Sequence, residues 1–179
     1  WEIGMTPKEI TQFYNKYKKR LYNISVRILG DGMEAEEVVH DVIVKFLRRD
    51  FSRVSKCEQE GWLCKSCVRG SIDVLRRRNS QKRLLDSLEY EIEEEVVDCE
   101  KRWNDIIVKA EKKRLIALID SGIRCLPDGY RTVLSLHLFE GYDYMEIASI
   151  LGVEESSVRS QYLRGKRKLL KFIEGSNGM

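Results

Sequence analysis

The side chains best suited to chemistry in this sequence are hydrogen-bond donors, concentrated in one stretch close to the C-terminus. Serine hydroxyls, a glutamine amide, and lysine and arginine cations can donate to base edges or to phosphate oxygens of DNA. These donors are Ser156, Ser157, Arg159, Ser160, Gln161, Arg164, Lys166, Arg167 and Lys168. Between them, Val158, Tyr162 and Leu169 recur at helical spacing, which is typical of an amphipathic helix. The stretch is therefore predicted to be a helix that presents a DNA-contacting face.

A second group that could do chemistry is the C-x-x-C pair formed by Cys64 and Cys67. A zinc site would need two more ligands, for which only Cys57 and His40 are near in sequence, and a redox pair would need no others. Both cysteines also fall on the apolar face of a predicted helix, where a thiol packs as a small hydrophobe, and we prefer that interpretation. His40 and His137 have no nucleophile or carboxylate pair beside them, and no glycine-rich phosphate loop is present. The sequence does not indicate an enzyme, and we expect no metal and no cofactor.

The donor-rich helix follows the pattern of a helix-turn-helix. Asp143 and Glu146 form a D-x-x-E helix start, in which one side chain caps free N–H groups and the other reaches back. Ala148 supplies the small residue and Gly152 the turn that such a unit needs, and the second helix is predicted to open near Glu155. In this motif the second helix enters the major groove, led by its N-terminal turns. We therefore interpret it as a DNA-reading helix; the alternative is a helical hairpin with a solvated basic face.

Two amphipathic helices are predicted at the N-terminus. The segment Thr6–Glu9 combines an N-cap, a proline at the first helical position and a glutamate at the third, and Gly30 ends this helix. Asp31 and Glu34 open the next helix in the same way, and an apolar stripe runs from Ala35 to Leu47. The outward residues of the second helix are Glu36, Glu37, His40, Asp41, Lys45 and Arg48. Such a face is either solvated or docks another protein, and docking is the more specific hypothesis.

A basic segment follows these helices. Residues 50–60 are predicted to be a polar loop, and a third helix with an aliphatic face is predicted to begin at Gly61 and Trp62. The arginine run from Arg76 to Arg78 is typical of phosphate contact. We expect residues 79–82 to act as a hinge after this helix.

Charge is distributed unevenly along the 179 residues, although the net charge is only +3. Residues 1–83 carry 18 basic and 11 acidic side chains, a net charge of +7. Residues 84–110 carry 3 basic and 9 acidic side chains, a net charge of −6, and residues 111–179 carry 11 and 9, a net charge of +2. This order suggests two ends that bind a polyanion, joined by a segment that nucleic acid repels.

The predicted fold is all-α, with two small helical domains joined by an acidic linker and with the helix-turn-helix in the C-terminal domain. The domains are expected at residues 5–80 and 106–174, with the linker at 81–105. In the second domain, Gly122 is predicted to end the first helix. No apolar run approaches membrane-spanning length, and five cysteines without framework spacing suit a reducing cytoplasm, where we expect the protein to work.

Three stretches together resemble the small sigma factors of bacterial RNA polymerase, of the extracytoplasmic-function (ECF) type. The segment 35–47 resembles the helix that docks on the polymerase clamp, and the segment 62–77 resembles the helix that engages the promoter −10 element. Leu126-Pro127, Glu146-Ile147-Ala148 and Ser157-Val158-Arg159-Ser160 resemble the pattern of the −35-reading domain. The resemblance covers nearly the whole chain in order and spacing, with the acidic linker in its place.

The resemblance implies a sigma factor that gives core RNA polymerase its promoter recognition and allows transcription initiation. It assigns the outward face of the second helix to polymerase docking and the nine donors near the C-terminus to the −35 element. It assigns the −10 contacts to Phe51, Arg53, Lys56, Trp62, Arg69, Asp73, Arg76 and Arg77. The implied partners are core RNA polymerase, promoter DNA and, where one exists, an anti-sigma factor, without membrane insertion. Gly70, His40 and Gln161 depart from the residues common in the family at their positions.

Two other interpretations are open from the sequence. A free-standing repressor or activator would bind a palindrome as a dimer, but it has no use for a docking helix or an acidic linker. A zinc or redox protein would be built around Cys64 and Cys67.

Overall fold

The computed structural model describes residues 6–49, 51, 54–82 and 112–177, and within these ranges the chain is helical, without a strand. The helices are α1 (Pro7–Leu29), α2 (Gly32–Leu47), α3 (Lys56–Lys82), α4 (Lys112–Arg124), α5 (Asp128–Leu138), α6 (Tyr144–Leu151) and α7 (Glu155–Asn177). The chain divides into two compact units, Trp1–Ser80 and Gln81–Met179, called here the N-terminal and C-terminal units. The all-α prediction is confirmed, whereas the predicted acidic linker, apart from residues 81 and 82, lies outside the described residues.

The first two helices begin and end at the residues that the sequence indicates. Thr6 Oγ1 accepts a hydrogen bond from the Glu9 N–H at 3.4 Å, and the Glu9 carboxylate accepts from the Thr6 N–H at 2.7 Å. Gly30 ends α1 in the left-handed conformation, with φ of 70°, which glycine adopts without steric cost. Asp31 caps α2 by accepting from the N–H groups of Met33 and Glu34 at 2.8 and 3.0 Å.

A buried hydrogen-bond chain connects α1 and α3 inside the N-terminal core. Ser71 Oγ donates to the Cys67 carbonyl at 2.9 Å, so Ser25 Oγ is the donor in the 2.8 Å contact between the two serine hydroxyls. The Cys67 thiol is fully buried and donates to the Leu21 carbonyl at 3.2 Å. The buried apolar residues of the same unit include Leu21, Ile28, Leu29, Val38, Val42, Leu63 and Val68. The thiol at position 67 is thus packed into the core, as its place on the apolar face predicts.

Helix α3 is longer at both ends than the sequence pattern predicts. It begins at Lys56, because Ser55 and Glu58 form a capping box in which each side chain accepts from the other's backbone N–H, at 3.3 and 3.0 Å. It continues to Lys82. The predicted loop over residues 56–60 and the predicted hinge at 79–82 are therefore wrong, since both are helical.

Two glycines let the helices of the C-terminal unit approach closely. A Cβ at Gly122 would lie 2.5 Å from Leu169 Cδ1 and 2.8 Å from Phe172 Cδ1, and a Cβ at Gly165 would lie 3.0 Å from Tyr130 Cβ. Both glycines lie within helices, so they serve interhelical contact rather than a turn. The prediction that Gly122 ends its helix is wrong, because α4 continues to Arg124.

The start of α5 is held by a buried arginine. Arg131 is only 6% exposed, and its guanidinium donates to the Leu126 carbonyl at 2.9 Å and forms an ion pair with Asp128. Pro127, the N-cap of α5, has no side chain that could accept, so Arg131 fixes this turn instead. None of the described helices is long and apolar enough to cross a membrane.

Candidate nucleic-acid interface

The turn between α6 and α7 has the features of a helix-turn-helix. Asp143 and Glu146 form the predicted capping box at the start of α6, with hydrogen bonds of 2.8 and 3.0 Å. Gly152 ends α6 in the left-handed region with φ of 68°, and α7 begins at Glu155. The N-terminal turns of α7 are thereby placed at the surface, and Val158 is turned fully into the core.

The predicted donors of α7 divide by exposure. Those in the first turns and one farther along are exposed, namely Ser156, Ser157, Arg159, Ser160 and Arg164. Gln161, Arg167 and Lys168 are half-buried, and the Lys168 ammonium lies 5.5 Å from the centroid of the Tyr130 ring. The structure thus brings the first-turn donors together on one exposed surface.

Lys166 is not on this surface. Its side chain is only 6% exposed, and its ammonium lies 5.8 Å from the centroid of the Tyr162 ring, one turn earlier. The prediction that Lys166 faces outward is wrong in this structure. The second half of α7 is packed against both α4 and α5, so more of its surface is buried than in the first turns. The aliphatic part of the Lys166 side chain lies in this buried surface.

Arg159 is the arginine closest to the N-terminus of α7, and two groups hold its guanidinium. Nε and Nη2 donate to Glu155 Oε1 at 3.0 and 2.6 Å. The guanidinium carbon also lies 5.5 Å from the centroid of the Tyr144 ring on α6. The side chain is still 63% exposed, so it is oriented without being covered.

A cluster of aromatic rings packs between α5, α6 and α7 close to Arg159, and it was not predicted from the sequence. The rings of His137, Tyr144 and Tyr162 lie with centroids 4.9 to 5.4 Å apart, one ring from each of α5, α6 and α7. His137 Nδ1 donates to the Tyr142 carbonyl at 2.8 Å, which fixes the ring. The sequence signal that could have revealed this cluster was an aromatic residue on each helix of the predicted helix-turn-helix. Tyr144 and Tyr162 flank Ala148 and Gly152, the small residue and the turn glycine of that motif.

The predicted docking face of α2 is exposed along its whole length. All six of its side chains are exposed, namely Glu36, Glu37, His40, Asp41, Lys45 and Arg48. On the opposite side of α2, the buried residues are Ala35, Val38, Val39, Val42, Ile43 and Phe46. The face therefore presents charges of both signs, which gives a partner both attraction and register.

A groove of about 280 Å³ joins the docking face to the predicted −10 residues. Its α2 wall includes Glu37, Asp41 and Lys45, and its α3 wall includes Trp62, Arg69, Asp73 and Arg77. Gly70 lies in its floor, where a Cβ would come 3.2 Å from Val38 Cγ1. The small residue at position 70 thus allows α2 and α3 to approach closely.

Aromatic rings gather where α3 begins. Phe51 stacks on Phe46 with centroids 4.2 Å apart, and it meets the Trp62 ring edge-on at 5.4 Å. The guanidinium carbon of Arg49 lies 5.2 Å from the centroid of the Trp62 ring. Phe51 and Trp62 are half-buried, so each offers only part of its ring to a partner.

The remaining −10 candidates that the structure describes are all exposed, whereas the last arginine of the 76–78 run is not. Lys56, Arg69, Asp73, Arg76 and Arg77 are exposed on α3, whereas Arg53 lies outside the described residues. Arg78, the last of the arginine run, turns inward, where it donates to the Leu29 carbonyl at 3.3 Å and pairs with Glu34. Arg78 therefore joins α3 to α1 and α2, and the run supplies two surface cations rather than three.

The metal alternative can be examined for the described part of the chain. No group of three or more histidine, cysteine or acidic side chains within it is placed to hold a metal ion. Cys64 is half-buried, and the Cys67 thiol makes the core hydrogen bond to Leu21.

Models of known families match both units of the chain. The model described as sigma-70 region 2 matches residues 13–81, which contain most of α1 and nearly all of α3. The model described as sigma-70 region 4 matches residues 116–169, from α4 into α7. The docking and −10 candidates in the described residues thus lie within region 2 and the −35 candidates within region 4.

The chain is also similar to curated proteins that are named as ECF RNA polymerase sigma factors. The ECF RNA polymerase sigma factor SigE of Mycolicibacterium smegmatis is 24% identical over 163 residues, which are 90% of this chain and 60% of the relative. The ECF RNA polymerase sigma factor SigX of Bacillus subtilis is 25% identical over 163 residues, 90% of this chain and 81% of the relative. This chain therefore spans less than two thirds of the SigE protein.

A solved structure supports the fold. This chain is similar to a chain in the co-crystal structure of the sigma factor RpoE in complex with the anti-sigma factor NepR from Bartonella quintana. The TM-score is 0.53 and the sequence identity 15%, with 93% of this chain and 98% of that chain covered. With regions 2 and 4 both present, and in that order, the chain belongs to the sigma-70 family, among the ECF sigma factors.

Proposed function

We propose that this chain binds core RNA polymerase and directs it to promoters by contacting the −10 element with α3 and the −35 element with α7. The observation that carries the proposal is the presence of two separate charged surfaces in one chain. One is the fully exposed face of α2 beside the α3 groove, and the other is the exposed N-terminal half of α7. A sigma factor needs both, since it must attach to the enzyme and read DNA at the same time.

The role of α7 follows from its exposure and chemistry. A helix entering the major groove meets base edges with its first turns, where Ser156, Ser157, Arg159 and Ser160 are exposed. The later cations Arg164, Arg167 and Lys168 are assigned to phosphates, which position the helix without carrying sequence information. Lys166 is withdrawn from this set because it is buried.

The roles in the N-terminal unit follow from the groove. The α2 residues Glu37, Asp41 and Lys45 bind the polymerase, and the α3 cations Arg69 and Arg77 face the promoter from the opposite wall. Both functions thus share one groove, so that attachment to the enzyme brings α3 to its DNA. Phe51 and Trp62, which lie close to the N-terminus of α3, supply aromatic surface for unstacked bases.

The proposal includes where the protein works and what else it binds. RNA polymerase acts in the cytoplasm, so we assign the chain to that compartment. An anti-sigma factor is a further proposed partner, since the similar RpoE structure is a complex with the anti-sigma factor NepR. As a recognition subunit the chain has no catalytic role of its own, because RNA synthesis belongs to the core enzyme.

Run-off transcription tests the proposal directly. A pool of randomised promoter templates is transcribed by core polymerase with and without the chain, and the transcripts are sequenced. We expect discrete start sites only when the chain is present, with two shared sequence blocks upstream of them. If the chain instead binds a palindrome tightly without polymerase and yields no transcripts with it, the proposal is wrong and the chain is a free-standing regulator.

A further inference from the structure

The feature that goes beyond the proposed function is the ring of Tyr144 beside the guanidinium of Arg159. Tyr144 is the first residue of α6, whereas Arg159 lies in the second turn of α7. The guanidinium carbon is 5.5 Å from the ring centroid, within the range of a cation–π contact. The base-reading candidate of one helix is thus held by the other helix of the motif.

Tyr144 is itself fixed in position. Its ring stacks on His137 with centroids 4.9 Å apart and planes at 28°, and the Tyr162 ring lies 5.4 Å away. The neighbouring Asp143 anchors the backbone through the capping box with Glu146. A ring held from α5, α6 and α7 can act as a rigid support, because it loses little further freedom when Arg159 is engaged.

Glu155 occupies the donors that a base would need. The Nε and Nη2 groups of Arg159 both donate to Glu155 Oε1, at 3.0 and 2.6 Å. A guanine edge offers O6 and N7 as two acceptors to the same fork of donors. A guanine can therefore replace the carboxylate with one acceptor for each donor, whereas on a base with a single acceptor both donors would have to share one atom, as they share Glu155 Oε1. The Tyr144 ring keeps the guanidinium in place during the exchange.

We propose that Tyr144 is a specificity-determining positioning residue, which holds Arg159 in the orientation required to read a guanine in the −35 element. The inference rests on the proposed function, in which Arg159 contacts a base. Tyr144 acts through Arg159 and makes no base contact of its own.

The test compares ring substitutions at position 144 in holoenzyme, measuring binding to a preferred −35 element and to its single-base variants at one salt concentration. Tyr144→Phe keeps the ring and should retain the wild-type ratio of affinities. Tyr144→Leu removes the ring and should reduce that ratio by about 2- to 5-fold, the size of a cation–π contact near the surface. Met145→Ala, at an exposed neighbouring position, is the matched control and should leave the ratio unchanged.

A second variant covers the possibility that leucine disturbs the aromatic cluster. Pentafluorophenylalanine at position 144 keeps the shape of the ring but reverses its quadrupole, so it should reduce the ratio as Tyr144→Leu does, with unchanged helical content. In an Arg159→Ala background neither substitution should change the ratio further, because the residue being positioned is gone.

The outcomes separate the inference from the proposed function. If the wild-type holoenzyme shows no preference among −35 variants, the proposed function fails and takes the inference with it. The inference alone is overturned when the wild type prefers one −35 variant and Arg159→Ala reduces that preference, but the fluorinated ring leaves the preference unchanged. It is also overturned if the fluorinated ring reduces the preference equally in the Arg159→Ala background.

Discussion

The cations of α7 differ in their surroundings, although the sequence presents them as one basic face. Arg159 is exposed and oriented by Glu155 and Tyr144, Lys168 is half-buried beside Tyr130, and Lys166 is buried. Similar charge therefore conceals different surroundings at these positions, and we expect different functions.

Substitution of single cations should separate these functions. Arg159→Ala should weaken binding to the preferred −35 element and flatten the preference among variants, since a bidentate arginine discriminates by about 1–3 kcal/mol. Lys168→Ala should weaken all sequences alike and lower the slope of log K against log salt by about 0.9, the value for one phosphate. Binding of holoenzyme to −35 variants at several salt concentrations measures both.

Lys166→Met is the control for this series, because it keeps the packed stem and removes the charge at a buried site. It should leave both the sequence preference and the salt slope unchanged. The orientation assigned to α7 is wrong if Lys168→Ala alters the preferred sequence while Arg159→Ala does not.

Single residues also show what could be predicted from the sequence. Caps are read from side chains three residues apart, so the boxes at Thr6–Glu9 and Asp143–Glu146 were predictable. The Ser55–Glu58 box carries the same signal, but the polar residues around it favoured a loop. The burial of Lys166 was not predictable, because it depends on how widely the neighbouring helices cover α7.

At the scale of helices, the close contact of α4 with α7 depends on the absence of a side chain at Gly122. A methyl group there would lie 2.5 Å from Cδ1 of Leu169, which is fully buried. The sequence suggested that the helix ends at Gly122, because glycine is common at helix C-termini. A glycine that ends a helix can be told from one that allows a close helix contact only when the packing of α4 on α7 is known.

We expect Gly122→Ala to destabilise the C-terminal unit by a net amount of about 1 kcal/mol. Overpacking costs about 1–3 kcal/mol, and the better helix propensity of alanine offsets about 1 kcal/mol of it. Gly175→Ala in α7, where a Cβ meets nothing within 4 Å, is the matched control and should stabilise by about 0.5–1 kcal/mol. Denaturant unfolding of the full chain measures both, and equal stabilisation by the two substitutions would contradict the packing role.

A polar contact between α1 and α3 should make stability depend on pH. The Tyr17 hydroxyl donates to Glu60 at 3.0 Å and Lys16 lies 3.4 Å from the same oxygen, so the pKa of the Glu60 carboxyl is lowered from 4.5, chiefly by the tyrosine hydrogen bond. A group with a lowered pKa stabilises the fold fully above its unfolded value, and the contribution is lost as the pH falls through the folded pKa.

The comparison of wild type with Glu60→Gln isolates this contribution. The melting temperature of the wild type should fall more steeply between about pH 5 and pH 3 than that of Glu60→Gln, since the ionised form is the one stabilised. Glu9 and Glu58, whose pKa values are also lowered by their caps, titrate equally in both proteins and cancel. Parallel curves would mean that ionisation of Glu60 does not contribute to stability.

At the scale of the whole molecule, each unit has its own core, and the proposed docking and DNA-contacting surfaces divide between the units. The two-domain arrangement was predicted from charge and periodicity, and the structure divides the chain after Ser80. The groove between α2 and α3 was not predictable, because it requires knowing that Asp41 of α2 and Arg69 of α3 line the same groove. The predicted acidic linker, apart from residues 81 and 82, lies outside the described residues.

Exchange of charges on α2 tests how the chain attaches to the polymerase. The double substitution Asp41→Lys with Lys45→Asp keeps the net charge, yet it should weaken core binding by about tenfold or more, because complementary charges meet like ones. Stability should change by less than about 0.5 kcal/mol, since both side chains are exposed. Lys19→Glu, on α1 and outside the groove lining, serves as the control. Unchanged core affinity would place the docking face elsewhere.

The contact of Gly122 with Leu169 and Phe172 also bears on how related sequences can diverge. The three positions share one small volume, so a change at one alters which changes are tolerated at the others. Relatives with alanine or serine in place of Gly122 should carry a shorter residue at the position of Leu169 or Phe172, whereas relatives that keep glycine should keep the large pair. A family alignment measures this covariation. Because the covariation arises from packing between α4 and α7, it should be present whichever promoter a relative recognises.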